Sequence, residues 1–155
     1  MSTIETKRDA TRICGPHIRT SAARAGDEIG PLWQRFFAEG WLDRLPRMSD
    51  DSQLYAVYTD YESDFAGAYT MILGVAVRPE ADVPEGARSI VIPTGKYARF
   101  AFEGDPKAAV WGTWNMVNTT WERRSERLYA IDFETHTLAT MRPYYSEGAV
   151  VVGLR

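Results

Sequence analysis

The chain has 155 residues, with 18 basic against 21 acidic side chains and a formal net charge of −3; that is one domain's worth of core, and no Lys/Arg-rich run offers itself to a phosphate backbone. One cysteine and two histidines exclude a disulfide framework and a thiolate metal cluster, and no metal or other cofactor is expected. The polar opening MSTIETKRDATR lacks the apolar centre of a signal peptide, and no apolar run reaches about 18 residues, so the expectation is a cytoplasmic, soluble protein with no direct contact to nucleic acid or membrane.

Residues 3–21, with Ile4, Ile13 and Ile18 among polar neighbours and a Gly15-Pro16 interruption, read as one long, bent first strand. The period then changes. In GDEIGPLWQRFFAEG the apolar positions Ile29, Leu32, Trp33, Phe36 and Phe37 recur every three or four residues; Asp27 can cap the start and Gly40 can end it, which predicts a helix over about 28–39. Trp41 to Ser52 reads as an exposed connection. Strands follow at roughly 53–61 and 68–77, the second with Tyr69, Met71, Leu73, Val75 and Val77 on one face, then RSIVI, a Pro93-Thr94-Gly95 turn and KYARFAF. Asp105 as cap and Pro106 at the first helical position open a second helix whose Val110, Trp114, Val117 and Trp121 share a stripe, with Trp111 beside it. Strands at about 127–134 and 147–154 close the chain.

The order strand, helix, strand, strand thus occurs twice, an α+β pattern of duplicated βαββ units. LYAV at 54–57 and LYAI at 128–131, each followed by an Asp-aromatic-Glu triplet, reinforce it, as do Trp33 and Trp111 on the two helices. Under that matching Glu62 and Glu134 fall at pseudo-equivalent places. Alternation in RLYAIDFETH puts Tyr129, Ile131 and Phe133 on one face and Ala130, Asp132 and Glu134 on the other. A solvated strand face is the bland reading of those carboxylates, and His136 just beyond reads as a surface residue near a turn. A packed core accounts for most of the five tryptophans, eight tyrosines and six phenylalanines, but not easily for all five tryptophans, which raises the alternative of an aromatic groove.

In the order YAVYTDYESDFAGAYTMILGVAV, IPTGKYARFAFEGDP, TTW and LYAIDFETH, the chain resembles the GyrI-like small-molecule-binding domain, the effector-binding domain of multidrug-responsive AraC-type and MerR-type regulators, from about Ile29 to the end. The resemblance implies a single domain over 1–155, with two βαββ units related by a pseudo-twofold axis, a curved antiparallel sheet and two main helices flanking a groove. It implies a ligand-facing glutamate at Glu134. No helix-turn-helix segment accompanies the domain. Three readings stand. The first is a binder of lipophilic, cationic aromatic molecules using Glu134, Trp33, Phe37, Tyr61, Tyr69, Trp111 and Trp114. The second is a hydrolase of strained-ring electrophiles such as cyclopropanes, with Glu134 and Glu62 as acid and base. The third is an inhibitor that acts on a protein partner, as the gyrase inhibitors of this family do. A carboxylate among aromatics should have a raised pKa unless a cation or hydrogen-bond donor compensates for burial. Oligomeric state stays open.

Overall fold

The computed structural model describes residues 2–155. Nine strands, β1 (Ser2–Lys7), β2 (Thr11–Gly15), β3 (His17–Ser21), β4 (Gln53–Thr59), β5 (Ala68–Val77), β6 (Arg88–Ile92), β7 (Gly95–Gly104), β8 (Arg127–Thr137) and β9 (Ser146–Leu154), form one sheet. The helices are α1 (Ala25–Ala38), α2 (Trp41–Arg44) and α3 (Pro106–Thr119). The predicted first strand is three strands, broken at Asp9-Ala10 and at Pro16. The predicted exposed connection contains α2, whose Trp41 is buried. Helix α1 starts earlier than Asp27 and has no side-chain cap. Helix α3 starts as expected, with the Asp105 carboxylate accepting the Lys107 N–H at 3.0 Å.

Every strand pairing is antiparallel, and the path runs β1-β7-β9-β8-β4-β5-β2-β6, with β3 also paired to β5. The two βαββ units are β2/β3-α1-β4-β5 and β7-α3-β8-β9. In each, the last strand lies between the other two, and the second strands β4 and β8 abut at the centre, the arrangement an approximate twofold between the units requires. Ile92 ends β6 and Gly95 begins β7, yet these strands sit near opposite ends of the path. The sheet therefore curls until its flanks meet. Its concave face encloses Ile13, Ile72, Ile92, Tyr97 and Phe133 in one apolar cluster, while the helices pack on the convex face.

On that outer face α1 and α3 take separate halves. Leu32 and Phe36 of α1 pack with Trp41 and Leu45 onto Leu54, Tyr69, Met71 and Leu73. Val110 and Val117 of α3, with Trp121, pack onto Phe100, Phe102, Val150 and Val152. A cleft is left between them over β4 and β8. Among the described residues no helix is long and apolar enough to cross a membrane.

The sequence match of LYAV to LYAI does not mark equivalent positions. Leu54 is fully buried in the core, whereas Leu128 is 51% exposed. The difference arises because the β8–β9 register shifts between Arg127 and Asp132, where Tyr129 has φ +54°; the bulge breaks the alternation that the matching assumed.

Where β2 crosses β5, Gly15 and Gly74 let the two backbones approach: a Cβ on Gly74 would stand 2.1 Å from the Cys14 carbonyl oxygen, and one on Gly15 1.9 Å from that of Leu73. Gly74→Ala is expected to destabilise the fold by about 1–3 kcal/mol or more, read as a lower urea midpoint at unchanged slope. A midpoint equal to the parent's would contradict this close approach.

Candidate functional site

The β4–β8 register sets Ala56 opposite Glu134 and Tyr58 opposite Asp132. All four share the outward face of the strand pair, and Tyr58 and Glu134 line a cavity of about 450 Å³ under the two helices. Its walls come from α1 (Ile29 and Trp33), β4 and the turn after it (Tyr58, Tyr61 and Phe65), β5 (Tyr69), α3 (Trp111, Trp114 and Asn118) and β8 (Arg127, Glu134 and His136). Of the residues singled out from the sequence, Trp33, Tyr61, Tyr69, Trp111, Trp114 and Glu134 meet there. Phe37 does not: it is 48% exposed and is not part of the cavity wall, its ring edge-on to Phe36. Glu62 does not either. It is exposed in the β4–β5 turn and is not part of the cavity wall, so the structure forms no Glu62–Glu134 pair across the twofold.

Glu134 is 3% exposed, and its carboxylate accepts three hydrogen bonds from the protein, two on Oε2 and one on Oε1. Oε2 accepts from the Tyr58 hydroxyl at 2.6 Å and from the Trp114 indole N–H at 2.7 Å; Oε1 lies 2.8 Å from His136 Nε2. A carboxylate can only accept, so Nε2 carries the proton. His136 Nδ1 is 2.7 Å from the Ser146 hydroxyl. Contrary to the surface position expected for it, His136 is 2% exposed, held between the edges of the Trp33 and Phe102 rings. Burial pushes the Glu134 carboxyl up, and the donors from His136, Tyr58 and Trp114 outweigh it and hold the pKa below the ordinary glutamate value. The same chemistry keeps Tyr58 protonated: burial, then the neighbouring Glu134 charge, pushes its hydroxyl well above the usual range. Tyr69, also burial first and Glu134 second, is pushed up to about 12.

A second buried polar unit adjoins the first. Asp132 pairs with Arg127 at 2.8 Å, both almost fully buried; Tyr61 donates to its Oδ2 at 2.6 Å and the Gly153 N–H to its Oδ1 at 2.9 Å. Arg127 also donates from Nη1 to Asn118 Oδ1, and its guanidinium carbon is 4.3 Å from the Tyr129 ring centre. Sequence reasoning missed Arg127 because strict alternation puts residues five apart on opposite faces. Between Arg127 and Asp132 β8 advances five residues while β9 advances two, and this irregularity at Tyr129, an odd number of extra residues, brings Arg127 round to the cleft. A charged residue shortly before Asp132 on the same predicted strand was the available signal.

Ser146, His136 and Glu134 form a hydrogen-bonded chain, but Ser146 is 1% exposed and does not contribute to the cavity wall, so no serine nucleophile reaches a ligand there. Among the described residues no group of three or more His, Cys, Asp or Glu side chains is placed to hold a metal ion.

A curled antiparallel sheet carrying two helices on one face, with an aromatic cleft between them closing on a buried carboxylate, defines a GyrI-like effector-binding domain. The chain belongs to the Cass2 family, the integron-associated effector binding proteins, whose profile matches residues 3–150. It is 27% identical over 154 residues to YobU, a candidate transcriptional regulator of Bacillus subtilis (strain 168), covering 97% of this chain and 96% of that one. Among solved structures, an integron cassette protein from the mobile metagenome of Vibrio cholerae matches with a TM-score of 0.71 at 23% identity, over 99% of this chain and 95% of its own. SAV2435 bound to tetraphenylphosphonium matches with a TM-score of 0.75 at 21% identity, over 98% and 93%. At these identities the structural likeness is one of fold.

Arg127→Met would leave the Asp132 charge buried without its partner, at an expected cost of about 3–5 kcal/mol in urea unfolding. A loss below about 1 kcal/mol would mean that the pair is not buried as described. Because the folded-state pKa of Glu134 lies below its ordinary value of 4.5, its ionisation stabilises the fold above that pH, and the contribution is lost as pH falls through the lower, folded value. Stability of Glu134→Gln should therefore fall less steeply than the parent's on acidification below about pH 4.5. Parallel profiles would contradict the lowered pKa.

Proposed function

We propose that this protein binds lipophilic aromatic cations in the cleft between α1 and α3, with Glu134 as the counter-charge at its floor. The observation that carries the reading is a buried glutamate with a lowered pKa at the bottom of an aromatic-walled cavity. Tyr58, Tyr69, Trp33 and Trp114 turn rings toward the same space, and each well-placed cation–π contact adds about 0.5–2 kcal/mol. The cavity volume of about 450 Å³ lies in the range of small-molecule sites, about 300–1,000 Å³. Membership of an effector-binding family and the tetraphenylphosphonium held by SAV2435 point the same way, as does the regulatory description of YobU.

The hydrolase reading receives less support. General-acid catalysis needs a carboxyl that holds its proton near neutral pH, and the donors around Glu134 favour the ionised form. The partner acid that reading needed, Glu62, lies outside the cavity.

Tetraphenylphosphonium titrated into the protein should quench tryptophan fluorescence, while neutral triphenylphosphine oxide should bind far more weakly. Glu134→Gln should weaken the cation's affinity by about ten- to a hundredfold, the worth of one charge-assisted contact, and leave the neutral compound unaffected. Equal affinities in parent and variant would remove Glu134 from the ligand's surroundings. A parent that responds to neither compound would turn attention to a protein partner.

A further inference from the structure

The α3 wall of the cleft carries a polar feature that an unspecific cation trap would not need. Trp111, Asn115 and Asn118 follow one another at helical spacing, and all three line the cavity. Asn118 is not free to turn. Arg127, anchored through Nη2 to Asp132, presents Nη1 to its side chain; a guanidinium only donates, so the amide oxygen of Asn118 must face Arg127 and the amide NH2 must face away from it. The two charges that hold it, Arg127 and Asp132, are both buried, so the orientation is set before any ligand arrives. Asn118 sits one helical turn, about 5.4 Å, beyond Trp114, whose indole N–H touches Glu134.

Resting on the cation-binding reading, we propose that Asn118 is a specificity-determining donor, and that the preferred ligands are aromatic cations bearing a hydrogen-bond acceptor, such as a ketone, ester or ether oxygen, about one helical turn along α3 from the cationic centre. The Glu134 end supplies charge attraction common to all cations. Asn118 distinguishes among them, because an acceptor that meets its NH2 gains a hydrogen bond while an apolar substituent at that point strips water from the amide and gives nothing back.

The test uses two probes of equal charge and similar shape: tetraphenylphosphonium, which has no acceptor, and its para-acetylphenyl triphenylphosphonium analogue. The parent should bind the acetyl probe about three- to tenfold more tightly, the range of one neutral hydrogen bond. In Asn118→Asp, which keeps an oxygen for Arg127 but loses the NH2, the ratio should fall to about one or below; the added negative charge acts on both probes and cancels in the ratio. Asn118→Ala should also bring the ratio to about one. Glu134→Gln should weaken both probes together and leave the ratio intact. A preference unchanged in both Asn118 variants, or no preference in the parent, would overturn this inference while the cation site stands. Failure of both probes to bind the parent, or indifference of both to Glu134→Gln, would overturn the cation-binding reading and this inference with it.

Discussion

Everything around the cleft follows from placing an ionised carboxylate in the middle of the central strand pair and covering it. Such a charge is tolerated only if protein dipoles replace the water it gave up. For Glu134 they come from four elements: Tyr58 on β4, Trp114 on α3, His136 on β8, and Ser146 on β9, which fixes the histidine ring from behind. The network therefore ties the two βαββ units across their interface. It also sets how close α3 can come, since Trp114 must reach the carboxylate. Ala56, directly across the strand pair, is fully buried in the core beneath α1.

Asp132 lies two residues before Glu134 on the same face, about 7 Å away along a strand, a separation at which two negative charges out of water disfavour each other strongly. Arg127 resolves the conflict by pairing with Asp132, and the bulge at Tyr129 is what allows it to reach. A residue with positive φ that is not glycine is uncommon, and here it is a tyrosine; strain of this kind is held in place by its surroundings, in this case the Arg127 guanidinium over the Tyr129 ring and an edge-to-face contact with Tyr61. The consequence is electrostatic. With Arg127 committed to Asp132, no arginine or lysine is the direct partner of Glu134; its neighbour at 2.8 Å is the His136 imidazole.

The parts of this arrangement that depend on regular periodicity were legible in the sequence. Helix α3 could be placed from Asp105, Pro106 and its apolar stripe, the face of β5 from alternation, and Trp33, Trp114 and Glu134 fall on elements whose facing is regular. What depended on a break in periodicity was not. The bulge at Tyr129 hid Arg127, and it made Leu128 look like the counterpart of Leu54. His136 was misread because a histidine after a carboxylate near a strand end has no sequence mark of burial; its environment is supplied by Trp33, Phe102 and Ser146, which are distant in the chain. The pKa of Glu134 turned on the same point: burial could be anticipated, but the three donors that outweigh it are a tertiary fact.

Depth divides the work of the cavity. At the floor, Tyr58 and Trp114 are fixed by hydrogen bonds to Glu134 and by each other, their ring centres 5.2 Å apart, so the floor is a rigid surface. At the rim, Trp111 is 58% and Phe65 36% exposed, one on a helix surface and the other in a turn, and neither is held by a hydrogen bond from its ring. Exposed side chains change rotamer on the nanosecond scale or faster, so these two rings can settle against ligand surfaces of different outline at little cost. A rigid anionic floor beneath adaptable aromatic edges combines a strict demand for charge with a loose demand for shape. Under the cation-binding function proposed above, that combination suits ligands of varied outline, because the interaction common to them would fall where the structure cannot yield and the differences among them where it can.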